Sequence, residues 1–587
     1  MSDIRRSILW VIFGFSMVLI WDQWQIYNGN PATFFPSSST AARPAGSASG
    51  TEGGASSTVP AASATVGASA APADVSAVPG AGGTEGGTEA AAAAGAPAAP
   101  AIPRQQHVVT TDVLRLTFDS EGGALIGADV LNHLAMTGTA REDSDAPLTL
   151  LTQGGTRTYV AQTGLIGGNF PNHKTPMRLV SGGATIPDGQ DSLNLRFESD
   201  PVDGVVLAKT YTLSRSRYDI GVQHEVINQG SAPVVPQAYL QLVRDGGLSE
   251  SETPFYSTFT GPAIYSEESK FEKINFDDID KNKASFQRTA NNGYVSMVQH
   301  YFASAWILAQ GVERENFVRR VGDVYAAGMI TPLGTVAPGE TRALQSQLFV
   351  GPQEEKVLEA LAPGLDLVKD YGWLTILAKP LYWLLEKIHS FVGNWGWAIV
   401  LLVVLIKAAF YWLNASAYRS MAKMKAINPR IMEMRERLKS NPQQMQQEMM
   451  KIYREEKVNP LGGCFPILIQ IPVFIALYWV LLASVEMRNA PWIGWITDLS
   501  TPDPFYILPL IMAITTIIQT ALNPLPPDPL QAKLMWMLPV VFSVMFFFFP
   551  SGLVLYWITN NVLTIAQQAY INSKMGVPLK FNMPKFK

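Results

Sequence analysis

Cysteine is almost absent. Cys464 stands alone in 587 residues, which excludes an internal disulfide, and its place at the start of an apolar run suits a small packing residue. The six histidines are scattered, with no pair at metal-ligand spacing, so no metal centre is expected. Neither a phosphate-binding loop nor a nucleophile elbow is found, so no cofactor and no nucleotide-driven chemistry is implied. Charged residues are few, 16% of the chain, and the formal net charge of -4 argues nothing about partners; nothing points to DNA. Aromatics vanish between Phe35 and Phe118, and Pro31 to Pro103 is almost entirely Ala, Gly, Ser, Thr and Pro. Such a segment buries too little apolar area to offset its ordering entropy, so residues 31–103 read as a disordered tether with a root-mean-square span of ~50 Å.

Apolar residues make up 47% of the chain and concentrate after residue 370. On the rule that ~20 apolar residues cross a bilayer, six spans are expected. The first is Ser7 to Trp24 behind Arg5 and Arg6, and its flank Trp21-Asp22-Gln23-Trp24 lacks small-residue cleavage chemistry, so residues 1–30 read as an uncleaved anchor. The others are 394–413, 465–484, 505–522, 534–549 and 553–570, the last two joined by the turn Pro550-Ser551-Gly552 as a helical hairpin. Between Ala417 and Pro460 there are ten Lys/Arg against five Asp/Glu, and the tail after Asn572 holds four lysines and no acid. The loop from Glu486 to Pro504 has only Arg488 against three acids. Positive-inside reasoning then puts both termini in the cytoplasm and residues 25–393 on the far side.

Residues 104–352 alternate. Leu114/Leu116/Phe118, Leu193/Leu195/Phe197 and Tyr218/Ile220/Val222 each put apolar groups on one strand face, punctuated by turns such as Glu121-Gly122-Gly123. A large β-sandwich is expected. Its acids leave a glycosidase-like carboxylate pair open beside the plainer reading of solvated surface charge. Residues 353–393 are amphipathic but interrupted by Lys369, Asp370, Lys379, Pro380, Glu386 and Lys387, too polar to span. They read as a kinked helix in the membrane interface, anchored by Trp373 and Trp383.

Lys407, inside the apolar run Trp395 to Leu413, is the sharpest functional candidate, because an intramembrane charge costs a few kcal/mol even on lenient scales. Gln470, Thr515, Thr516, Gln519, Ser543, Asn560 and Asn561 supply polarity to the later spans, and no acid lies there to pair with it. This suggests a wet, cationic groove that receives something polar or acidic. Residues 417–460 read as two antiparallel helices, broken at Asn428-Pro429 and Ser440-Asn441-Pro442. Met445, Met449 and Ile452 face Met421, Met424, Met432 and Met434. They either fill the seam or offer an adaptable surface to hydrophobic clients, and the basic excess either enforces topology or attracts ribosomal RNA and lipid headgroups.

Asn394-Trp395-Gly396, Asn459-Pro460-Leu461-Gly462-Gly463-Cys464-Phe465-Pro466 and Phe549-Pro550-Ser551-Gly552-Leu553-Val554-Leu555-Tyr556 resemble motifs of the YidC/Oxa/Alb membrane-protein insertases, in the Gram-negative form. Phe271-Glu272-Lys273 and Gly293-Tyr294-Val295 extend the resemblance outside the membrane. It implies a five-helix insertase core at 394–587 with a hairpin at 417–460 and a basic tail at 572–587. It also implies a groove open to cytoplasm and lipid, and a periplasmic super-sandwich largely dispensable for insertion. The implied role is insertase and chaperone of the inner membrane, not enzyme. Its implied partners are nascent membrane proteins, membrane lipids, a SecYEG-type secretion channel with accessory subunits, and the ribosome. Clients would touch Lys407, Gln470, Thr515, Gln519, Tyr556, Trp557 and Asn560, with Trp557 resembling the family's groove aromatic. The family usually has arginine where this chain has Lys407. The rival reading is a secondary transporter binding an anionic solute at Lys407, which predicts two repeated halves; none is found.

Overall fold

The computed structural model describes residues 104–135, 146–155, 157–247, 258–438, 441–456, 465–523, 529–574, 576 and 581. The anchor expected at Ser7 to Trp24, the tether to Pro103, Cys464, the turn at Ser440 and most of the basic tail lie outside them. Two nine-stranded antiparallel sheets occupy residues 106–352. One sheet takes the strands from Gln106–Thr110 to Arg157–Ile166, then Gln237–Asp245, Val324–Pro332, Arg314–Val321 and Thr289–Ala290. The other runs from Lys270–Lys273 through Gly261–Ser266, Tyr294–Val298, Phe302–Leu308, Thr341–Pro352, Asp219–Asn228, Val205–Ser214 and Ser192–Ser199 to Met177–Ser181.

The expected alternation is what builds the core. Leu116, Phe118, Leu195, Phe197, Ile220 and Val222 are all buried, and Phe118 meets Tyr211 of the facing sheet with ring centroids 4.8 Å apart. Polar side chains cross the same gap. Trp306 Nε1 donates to Gln241 O at 3.1 Å, and the Tyr159 hydroxyl donates to Met297 O at 3.2 Å. Fully buried Lys209 donates to Gly122 O at 2.6 Å and Thr163 O at 2.7 Å. Burial pushes its amine down to about 7, and two backbone carbonyls accept its N–H groups. Gly122 itself (φ +69°) must be glycine, because a Cβ there would stand 2.3 Å from His173 O. Some of the sandwich's acids are engaged in surface pairs, Glu198 and Glu225 with Arg196, and Asp219 with Arg217.

Short helices α1 (Phe276–Asp280) and α2 (Glu355–Leu361) border the sheets. Then follow α3 (Thr375–Val392), α4 (Trp395–Ala409), α5 (Tyr411–Arg437), α6 (Pro442–Glu455), α7 (Phe465–Ala483), α8 (Ile507–Leu522), α9 (Pro529–Met545) and α10 (Ser551–Lys574). Helix α3 packs on α4 and α7, while α10 packs on α4, α5 and α8. Three expectations need correction. The run 394–413 is not one straight span: the backbone leaves helical geometry at Phe410 (φ -91°, ψ 12°), and Tyr411–Ser420 turns away by 65°. A hydropathy window averages across that bend, and among the described residues no single helix is long and apolar enough to cross a membrane. Second, α5 runs through Asn428-Pro429 without a break. Pro429 sits on the exposed side, and Ile427 and Ile431, buried on either side of it, offset the lost backbone bond. Third, α9 and α10 pack chiefly on α8 rather than as a hairpin on each other.

Burial holds His224 near 3, reinforced by Lys209, and holds His133 near 4. Both lie below the unfolded value of 6.5, so between those limits the unfolded chain binds protons that the fold refuses. Stability must then fall as pH drops through 6.5, by up to about 1.4 kcal/mol per unit for fully buried His224. Amide exchange of strand Asp219–Asn228, corrected for intrinsic rate, should accelerate from pH 6.5 to pH 4.5, and His224→Gln should flatten that dependence. A flat wild-type profile would show that these imidazoles titrate normally.

Candidate functional site

Lys407 lies near the C-terminal end of α4, whose N-cap is Asn394, about 20 Å away along the axis at 1.5 Å per residue. Its Nζ donates to Thr564 Oγ1 on α10 at 2.8 Å, and among the described residues no acid pairs with it. A narrow cleft opens beside it, lined by Val403, Ile406, Phe410, Asn414, Gln470 and Tyr556 among others. Gln470 Nε2 donates to Asn560 Oδ1 at 2.9 Å across the cleft, joining α7 to α10. The walls are thus mainly apolar, with one cation and three amides turned inward. Such a site orients a polar group while shedding an apolar one.

Of the expected contact residues, Lys407, Gln470, Tyr556 and Asn560 share this cleft. Thr515 does not; it meets Asn561 Nδ2 at 3.3 Å, with Thr516 at 2.9 Å, in a separate contact between α8 and α10. Gln519 is half-buried on α8, outside the lining. Trp557 points into an aromatic cluster, 4.8 Å from Phe474 and 5.1 Å from Phe546. Thr564 and Asn414 were missed. Thr564 lies two helical turns beyond Tyr556–Trp557, and its spacing from Asn560 (i, i+4) carries the signal that both face one way.

The bundle end nearer the sandwich is closed by the loop 485–506, and the family-like motifs clamp it. Asn394 Oδ1 caps α4 by accepting from Trp397 N at 3.1 Å, while its Nδ2 donates to Pro491 O at 3.0 Å and Trp492 O at 3.3 Å. Gly396 leaves room for the Trp492 ring, which a Cβ would approach to 2.3 Å. From the other side, Ser551 N and Oγ both donate to Thr501 O at 2.8 Å, and Gly552 N to Leu499 O at 2.9 Å. Buried Asp503 accepts from Phe505 N at 3.0 Å and Leu508 N at 2.7 Å, leading the chain into α8.

In the hairpin, Ile427, Ile431 and Met434 of α5 close on Ile452 of α6, with Leu438, Met445, Met449 and Tyr453 packed around them. Met445, Met449 and Ile452 therefore fill the seam. Met432 does not face them; it is exposed, because 427, 431, 434 and 438 follow the helical period and 432 falls off it. The side chains of Met421 and Met424 lie outside the described set. Arg430 pairs with Glu455 at 3.2 Å and Glu456 at 3.0 Å, fixing the antiparallel register.

Comparison with known proteins covers both halves. The YidC periplasmic domain model matches residues 106–384, and the 60Kd inner membrane protein model matches residues 387–577. Membrane protein insertase YidC of Cupriavidus necator is 52% identical over 576 residues, 98% of either chain. The protein of the same name from Burkholderia multivorans is 51% identical over 580 residues, 98% of this chain and 99% of the relative. A crystal structure of an active YidC insertase with its first transmembrane domain resolved is 18% identical, with a TM-score of 0.34, covering 78% of this chain and 91% of that one.

Asn394→Ala should remove the α4 cap and both loop clamps together, a local loss of about 1–2 kcal/mol. Hydrogen exchange in residues 490–499 should then quicken about tenfold or more, with the sandwich strands unchanged. Unaltered exchange in that loop would show that Asn394 does not hold it.

Proposed function

The chain belongs to the YidC family of membrane protein insertases, and we propose that it inserts its clients by drawing a short polar tail into the Lys407 cleft. The protein is an insertase of the inner membrane, acting on membrane proteins, with a periplasmic β-sandwich. The transporter reading has no support beside these relatives. That the core crosses the membrane in five spans, with a sixth at Ser7 to Trp24 and both termini cytoplasmic, is our reading. What favours it is the apolar surface on the helices: Trp412, Val541, Val544, Leu510 and Leu538 stand more than half exposed. A continuous surface of that kind is costly in water and matched in lipid. Helix α3 turns Ile376, Trp383 and Phe391 outward along one face, which suits a helix lying in the interface.

The observation that carries the mechanism is a cation that, among the described residues, has no counter-charge. Lys407 is held by one neutral hydroxyl, so its charge is left to act on whatever occupies the cleft. A client's polar or acidic tail exchanges part of its hydration for Lys407, Gln470, Asn560 and Asn414, while its apolar segment moves sideways into lipid at ~0.8 kcal/mol per buried methylene. Short helices help. The 16 residues of α8 span about 24 Å against a hydrocarbon core of ~30 Å, so the bilayer thins beside them and the remaining barrier shrinks. Of the other expected contacts, Thr515, Gln519 and Trp557 would meet only the client's apolar part, from outside the cleft. The hairpin captures clients at the cytoplasmic mouth. A SecYEG-type channel, its accessory subunits and the ribosome are the partners in this reading, joined through its basic face.

Lys407→Arg should keep insertion of an acidic-tailed single-span client near wild-type, and Lys407→Glu should abolish it. Lys407→Ala should cost tenfold or more, on the ~1.5–3 kcal/mol of a charged hydrogen bond. The readout is client translocation in proteoliposomes, and a full rate for Lys407→Ala would sink the cationic-cleft reading.

Replacing Met445, Met449 and Ile452 together by serine should open the hairpin seam and weaken client crosslinking at the cytoplasmic mouth, with the helical core intact to protease mapping. Unchanged crosslinking would remove the hairpin from client capture.

A further inference from the structure

A group of buried charges lies away from the cleft, where the sandwich meets the helices. Lys369, with no exposed side-chain surface, donates to both carboxylate oxygens of Glu486 at 3.2 Å. The Tyr382 hydroxyl donates to Oε1 of the same carboxylate at 2.5 Å, and the Lys369 ammonium stands 4.0 Å from the centroid of the Tyr382 ring. These residues come from three elements. Lys369 follows the short turn Leu365–Val368 that leaves the sandwich, Tyr382 is in the middle of α3, and Glu486 is in the turn Val485–Met487 directly after α7. Further pairs surround them: Lys379 with Asp366 and Glu355, Lys273 with Asp370 at 2.6 Å, and Lys356 with Glu386. The Tyr371 hydroxyl donates to Glu355 at 2.9 Å.

Helix α3 needs such a lock. Its protein-facing side buries Ala378, Tyr382 and Leu385, with Leu377, Leu381, Leu384 and Ile388 packed partly buried beside them, and its other side exposes Ile376, Trp383 and Phe391. Apolar packing is non-directional and lets a helix slide or roll between lipid and bundle. A buried, hydrogen-bonded ion pair does not, since any shift leaves an uncompensated charge; fixing register is the best-attested use of such pairs. At its far end α7 carries Gln470 and Val473 in the cleft wall, about 20 Å from Ala483 along the axis.

We propose that Glu486 is a positioning residue for insertion: it docks α3, through Tyr382 and Lys369, on the outer end of α7 and so fixes where the α7 wall of the cleft stands. This rests on the cleft reading above. The junction is a permanent lock, and its job is to hold α3 and α7 as one body while clients load the lateral lipid surface.

The test uses the full-length protein in proteoliposomes, with spin labels at Trp383 on α3 and Ile471 on α7, both exposed. The parent should give one narrow distance distribution. Glu486→Gln should broaden it and slow client insertion about fivefold to tenfold, while exchange protection of the sandwich strands stays unchanged. Should Glu486→Gln fail to accumulate, Tyr382→Phe, which keeps the ion pair and deletes only the hydroxyl, should shift both readouts in the same direction and less far. An unchanged distance distribution in Glu486→Gln overturns the proposal, as does an unchanged insertion rate in that variant. Lys407→Ala, run beside them, separates the two ideas: it bears on insertion alone and should leave the α3–α7 distance untouched.

Discussion

A single ammonium in largely apolar surroundings constrains the rest of the helical core. Lys407 cannot be left dry at a tolerable cost, and no acid among the described residues neutralises it. The arrangement that remains is a cleft wet enough to solvate a charge and apolar enough to sit in a membrane. The amides of Asn414, Gln470 and Asn560 supply the first property, and Val403, Ile406 and Val473 the second. The bend at Phe410 follows directly below, and it turns α5 out of the bundle axis just where the chain becomes basic. Charge, cleft and bend therefore belong to one local solution.

The sandwich was legible because a β-strand writes its burial at period two. Leu114, Leu116 and Phe118 alternate with polar neighbours, and the structure buries all three. Lys407 was legible for the opposite reason, as a residue whose type contradicts its surroundings. What could not be read is what depends on three-dimensional direction. Thr515, Gln519 and Trp557 share helices with true cleft residues, yet helical rotation turns them to other faces, and composition does not record rotation. The methionine seam shows the same limit: choosing by residue type took Met432 along with Met434, whereas the 3.6-residue period keeps Met434 and adds Ile427 and Ile431. Pro429 read as a helix end because local propensity dominates a sequence view, and tertiary packing on both sides overrode it.

Two of the three sequence motifs that carry the family resemblance divide by task once their atoms are placed, and Asn459 to Cys464 of the third lie outside the described residues. Asn394 and Gly396 serve the loop 485–506, one by two donated bonds and the other by the absence of a Cβ under Trp492. Ser551 and Gly552 hold the same loop from α10. Tyr556, the last residue of the second of these motifs, lines the cleft, while Asn394, Gly396, Ser551 and Gly552 lie away from it. They are spent on closing the end nearer the sandwich, and backbone carbonyls accept nearly every one of these bonds, which makes the closure insensitive to the side chains of the loop itself.

The two ends of the bundle are consequently built from different materials. At the end nearer the sandwich, backbone groups and buried ion pairs with fixed partners leave little to rearrange: Lys369, Tyr382 and Glu486 satisfy one another completely enough that opening would expose charges in pairs. At the other end, Lys407 has one neutral partner and the amides of the cleft keep unsatisfied capacity for a guest. A fully satisfied network gains nothing by meeting a polar client, while a partly satisfied one gains with each bond formed. In the proposed reading, a polar tail that enters beside Lys407 meets an ammonium and amides that can still take up hydrogen bonds, and each bond it forms there replaces one it gave up in water.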